Sequence, residues 1–187
     1  MKSLNTIQKT FQVFKALSKV AMILSFLWAG LTVAGLLCGI AWYSGGTVMG
    51  LTPEGLLSLT LTGSLNQMMG VLLSDLVFAL ADGILFLYAY RYFQREQADG
   101  TPFTKTGAEL VKRLGIRTIV LPLVAAILSA LFFEVFDLPQ AALGARDNLS
   151  GLTMGIVLIL TSLIFRYGAE LETQRPQLAG GAAEEEA

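Results

Sequence analysis

Two carboxylates interrupt an otherwise apolar stretch: Asp75 and Asp82 lie within the run from Val71 to Tyr90. Seven residues apart, they fall on nearly the same face of a helix. A carboxyl group at hydrocarbon depth costs about 2.5 to 3.5 kcal/mol on insertion scales, so it should face a bundle interior or water. No Lys or Arg lies inside any apolar run to neutralise it. The chemistry open to this intramembrane pair is proton or cation handling. The plainer reading is a packing contact, hydrogen-bonded to Ser or Thr hydroxyls or to helix backbone, with Asp75 nearer the wet outer end.

Other chemistries are poorly served. With no histidine and one cysteine, Cys38, the chain has little with which to bind a transition metal, activate a Ser or Cys nucleophile, or close an internal disulfide. No Gly-rich phosphate loop opens a helix. A formal net charge of -1 gives no global reason to bind nucleic acid. The expectation is a protein that is not an enzyme, with no metal site, no cofactor and no direct nucleic-acid partner.

The elements that carry these residues are set by hydropathy. At 54% hydrophobic and 14% charged, with a mean hydropathy of +0.64, the chain is too apolar for a water-soluble domain of 187 residues. Four spans are predicted, at about 20–43, 71–90, 118–136 and 148–165, the last being the weakest. The first is free of charge from Val20 to Tyr43, longer than the roughly 20 residues that cross a bilayer and far longer than the core of a cleaved signal peptide. Of the 13 Lys and Arg, all but Arg146 fall on one side of these spans, which the positive-inside rule assigns to the cytoplasm. The fold expected is therefore an all-α integral membrane protein of four transmembrane helices, with both termini inside. Anionic lipid headgroups account for the basic residues. Trp42, Tyr43, Tyr88, Tyr90, Tyr92, Phe93 and Tyr167 stand at span ends and read as interfacial anchors.

Outside the spans, Leu4, Ile7, Phe11 and Phe14 form one helical stripe, so residues 1–19 read as an amphipathic helix along the inner headgroup layer, ahead of a transmembrane domain at 20–173. The outer loop from Ser44 to Gly70 carries a helix-opening Thr52-Pro53-Glu54 and enough leucine to rest on the membrane surface. Between the second and third spans, Asp99, Gly100, Thr101 and Pro102 signal a turn, Phe103 can pin it, and Thr106 with Glu109 has capping-box spacing. Lys112 and Arg113 complete a candidate cytoplasmic interaction turn with Asp99, Gly100, Pro102 and Phe103. The tail, 174–187, reads as disordered. Gly35 with Gly39, and Gly151 with Gly155, have the spacing that lets helix backbones approach closely, within one chain or in a homo-oligomer.

The stretch from Tyr92 to Thr104, Tyr-Phe-Gln-Arg-Glu-Gln-Ala-Asp-Gly-Thr-Pro-Phe-Thr, followed by Leu110, Arg113, Leu114 and Gly115, resembles a bacterial membrane family known as domain of unknown function 2975. Phe165-Arg166-Tyr167-Gly168-Ala169-Glu170-Leu171-Glu172 echoes its C-terminal signature, whereas Gln174-Arg175-Pro176 replaces its usual ending. The resemblance implies four spans in a bacterial inner membrane and, because such proteins neighbour small helix-turn-helix regulators, a membrane partner that restrains or senses for a DNA-binding protein. The function expected is that of a regulatory or sensory interaction partner. The alternatives are a proton- or cation-coupled transporter or channel component using Asp82, and a structural subunit of a larger membrane complex.

Overall fold

The computed structural model describes residues 2–45, 64–99, 104–138 and 153–170. These form four helices: α1, Lys2–Tyr43; α2, Leu65–Asp99; α3, Lys105–Val135; and α4, Thr153–Glu170. All four are long and apolar enough to cross a membrane, and no strand occurs among the described residues.

The helices are inside out relative to a soluble bundle. Along α1, Leu17, Val20, Leu24, Leu27 and Leu31 face outward, while Ser18, Ala29, Thr32, Leu36 and Gly39 face α2. Lipid removes the hydrophobic drive between helices, so small residues that permit close approach occupy the contact and large aliphatics meet the solvent. The Thr32 hydroxyl donates to the Ala29 carbonyl of its own helix, leaving the seam free of an unsatisfied donor. Gly35 lies against Leu72, Gly39 against Met68 and Met69, and Gly83 against Phe26, so α1 and α2 run antiparallel along their length. At the end of the pair near Tyr43, Leu36, Met68 and Leu72 form a small core with Trp42 packed on it.

α2 and α3 also pair antiparallel. Ser74 and Ser129 share a buried hydrogen bond across the interface, and Gly70 receives Phe136 and Leu138 at one end. At the other end Tyr92, Val111 and Leu114 make a second core with Phe165 of α4 against it. Tyr92 is thus a packed residue and not the interfacial anchor its position suggests, because it points toward α3.

Helix lengths exceed a bilayer. At 1.5 Å per residue, the 42 residues of α1 reach about 63 Å and the 35 of α2 about 52 Å, against a hydrocarbon layer of about 30 Å. The sequence reading separates 1–19 from the first span, yet α1 passes through residues 19 and 20 unbroken. Instead of turning aside there, α1 stays on α2: the Phe14 and Phe93 rings stack with centroids 5.6 Å apart, and Lys15 Nζ donates to Gln97 Oε1 at 3.0 Å. The side chains of Leu4, Ile7 and Phe11 lie outside the described residues.

α4 is offset. Gly155 meets Gly115 and Ile119, and Ser162 and Arg166 face Ala108, Glu109 and Lys112, so α4 runs antiparallel to the first half of α3 and not alongside 118–136. Its exposed Ile156, Val157 and Leu160 therefore lie level with the part of α3 around Gly115, and Leu163 and Ile164 level with its charged first turns.

Candidate functional site

The end of the bundle that carries the α2–α3 connection gathers the basic residues on three packed helices. Its centre is Glu96, only 1% exposed. The Glu96 carboxylate lies beside Gly107, so close that a β-carbon there would collide with it and with Thr104 Oγ1. This puts a buried carboxylate at the positive end of α3, where unpaired amide N–H groups and the helix dipole favour negative charge. Thr104 is the N-cap, in extended conformation at φ -108 and ψ 145, and its hydroxyl accepts from the Gly107 N–H at 2.9 Å. The cap thus falls two residues before the expected Thr106. Glu109 is turned instead to Arg113, 3.7 Å away on the exposed face.

Of the interaction turn read from sequence, Lys112 and Arg113 are exposed on α3. Gly100, Pro102 and Phe103, and the Asp99 side chain, lie outside the described residues. Lys112 and Arg113 line a cleft of about 570 Å³ between α3 and α4, facing Arg166 and Glu170, which pair with each other at 3.2 Å.

On the other side of α3, a groove of about 540 Å³ separates it from α2. Tyr88, Arg91, Tyr92 and Arg95 stand at helical positions i, i+3, i+4 and i+7 of α2, and Leu110, Arg113, Leu114 and Arg117 repeat that spacing on α3. Two stripes thus face each other, with four guanidinium groups above an apolar floor. No Asp or Glu lines this groove among the described residues. Arg117 sits over the Tyr88 ring, 3.6 Å from its centroid, a cation–π contact that fixes the guanidinium at the groove wall.

No family model, characterised protein or solved structure matches the chain.

The intramembrane carboxylates are placed differently from the expectation. Asp75 is half-buried, and Asp82 is exposed, on the side of α2 away from the exposed Leu80 and Ile84. Buried around that turn are Gly83, against Phe26 of α1, with Ala79 on the same side, and Ala81 on the opposite side. Among the described residues no group of three Cys, Asp or Glu is arranged to hold a metal ion. Gly35 and Gly39 serve the α1–α2 contact, and Gly155 the contact with α3, whereas Gly151 lies outside the described residues.

Several important residues escape a reading by motif. Glu96 stands in Arg95-Glu96-Gln97 and looks like a solvated charge, but its neighbour Thr104 marks the helix start it supports. Gly115, opposite Gly155, belongs to no GxxxG pair. A small residue one turn outside the third apolar run was the available signal.

Proposed function

We propose that this chain is a multi-pass protein of a bacterial plasma membrane, with both termini cytoplasmic, that serves as a regulatory or sensory partner of a cytoplasmic protein. The observation that carries this reading is the ordered extension of α1, α2 and α3 beyond a bilayer's thickness at the basic end. Phe14 on Phe93, Lys15 on Gln97 and Glu96 beneath Thr104 and Gly107 hold that extension together. A chain that needed only to cross the membrane could end its helices at the headgroups. This one builds a packed surface outside them, with Lys112 and Arg113 exposed on it. The resemblance to domain of unknown function 2975 supports a small helix-turn-helix regulator as the partner. The test is crosslinking and affinity purification from native membranes with wild type and with Lys112→Glu/Arg113→Glu. A small DNA-binding protein recovered with wild type and lost with the variant supports the reading; an identical set of proteins from both refutes it.

A second reading is favoured by Asp82. An exposed carboxylate at mid-span of α2 fits a contact with another transmembrane helix, in a homo-oligomer or as a subunit of a larger complex, better than a pathway inside one bundle. Asp82→Asn should then change the mass of the complex extracted in mild detergent and leave ion flux into liposomes unaltered. A change in proton or cation flux with an unchanged complex would favour the transporter alternative instead.

A further inference from the structure

We infer that the groove between α2 and α3 is a binding site for the phosphodiester headgroup of an anionic phospholipid, one carrying two phosphates. This inference does not depend on the identity of any protein partner.

The charge comes first. Arg91, Arg95, Arg113 and Arg117 converge on one groove that no described carboxylate lines. The described ion pair that touches this set, Arg113 with Glu109, is long at 3.7 Å and lies on the solvent side. Such a pair is too weak to neutralise the cluster. Four guanidinium groups lining one groove repel one another, and an arrangement of this kind is relieved by a multiply charged anion that accepts paired N–H donors.

The depth of the groove names the source of the anion. The apolar run of α2 ends at Tyr90, and that of α3 begins at Thr118. Arg91 and Arg95 follow Tyr90 by about 1.5 to 7.5 Å along the helix, and Arg117 and Arg113 precede Thr118 by the same distances. The headgroup layer on each face of a bilayer is about 5 to 8 Å deep. All four arginines therefore stand in the layer where lipid phosphates lie, and a soluble phosphate would have to displace those lipids to reach them.

The walls suit a lipid as well as its phosphate. Leu110, Leu114 and the Tyr88 ring, the last beneath Arg117, give the groove an apolar floor against which the glycerol of a lipid can rest. One phosphate would leave most of the arginine charge uncompensated, whereas two joined by a short bridge match two arginines each.

The full chain, purified in mild detergent and placed in nanodiscs of phosphatidylcholine with or without 20 mol% cardiolipin as the probe, tests this. Native mass spectrometry reads lipid retention, and melting of the far-ultraviolet helix signal reads stabilisation. Wild type should retain cardiolipin and melt at a higher temperature with it present. Arg91→Gln/Arg95→Gln should hold it about thirtyfold more weakly, whereas Lys112→Gln/Arg166→Gln, which removes two cations outside the groove, should match wild type. Arg113→Gln/Arg117→Gln provides an independent pair should the first variant fold poorly. Equal loss in groove and control variants would overturn the proposal, since diffuse surface charge would then suffice. Millimolar pyrophosphate that binds wild type in plain phosphatidylcholine discs and displaces cardiolipin would overturn it too, by making the site one for a soluble phosphate. Retention unaffected by both arginine pairs would also overturn it.

Discussion

Replacing Gly115 with alanine isolates the closest approach between α3 and α4. A β-carbon at Gly115 would lie 2.9 Å from Ile159 Cγ1, 3.0 Å from the Gly155 carbonyl oxygen and 3.1 Å from the Ile159 backbone nitrogen. Two of those three atoms are backbone, so no rotamer change relieves the clash and the helices must separate by several tenths of an ångström. Overpacking of this kind costs about 1 to 3 kcal/mol, and a gap of 0.5 to 1 Å forfeits roughly a quarter to a half of each dispersion contact along the seam. Against it stands the gain of replacing a helical glycine, about 0.5 to 1 kcal/mol. Gly30→Ala supplies the control, because a β-carbon at that position of α1 meets nothing within 4 Å and gives the same helical gain without the clash. The difference in stability between the two variants is therefore the overpacking cost itself. It should be read by reversible unfolding in mixed micelles of rising denaturing detergent, followed by circular dichroism. Gly30→Ala should be slightly more stable than wild type and Gly115→Ala about 1 to 3 kcal/mol less stable than Gly30→Ala. Equal stability of the two variants would refute the close crossing.

Other outcomes follow from the same geometry. Thr104→Ala should cost about 1 kcal/mol by removing the N-cap, visible as faster hydrogen exchange confined to the first turn of α3, and unchanged exchange there would exclude the cap. Gly107→Ala should unseat Glu96 and speed tryptic cleavage at Arg95 and Lys105, whereas Glu96→Ala/Gly107→Ala should show less damage than the sum of its parts, as contacting residues do. Ser74→Ala alone should destabilise by roughly 0.6 kcal/mol, typical of an interhelical hydrogen bond in a membrane, and Ser74→Ala/Ser129→Ala by little more, a double-mutant cycle that additive costs would contradict. In a Cys38→Ser background, Lys112→Cys in intact cells should resist a membrane-impermeant maleimide until the membrane is opened. Labelling from outside would invert the topology.

The long apolar runs made four helices legible from composition alone, and the glycines of α1 pointed to its seam because small residues at helical spacing have few other uses in lipid. What hydropathy cannot convey is direction around the helix axis. The cost of its charge left Asp82 either the bundle interior or water, and its exposed position is a matter of direction around α2 that hydropathy does not carry. The stripe ending at Phe14 has the same spacing whether it lies on headgroups or on a neighbouring helix, and for Phe14 itself the Phe93 ring gives the answer. Glu96 and Tyr92 were obscured because partners from α3, distant in sequence, bury them. Thr104 and Thr106 both begin plausible helix starts, and the carboxylate beneath Gly107 favours the earlier one. The shift of α4 toward the basic end of α3 arises from Gly115, whose value as a contact appears only when Gly155 stands opposite.

The continuity of α1 has a mechanical consequence. Phe14, stacked on Phe93, and Gly39, seated on Met68 and Met69, belong to one uninterrupted helix and lie roughly 37 Å apart along its axis. With no break between them, the helix behaves as a lever: rocking it by about 5° about its midpoint moves each end by roughly 1.6 Å, within the 1 to 2 Å over which helix shifts carry conformational signals between sites. A tilt applied at the Trp42 end would in this way displace the aromatic stack at the other end of α1 without any relay of side chains.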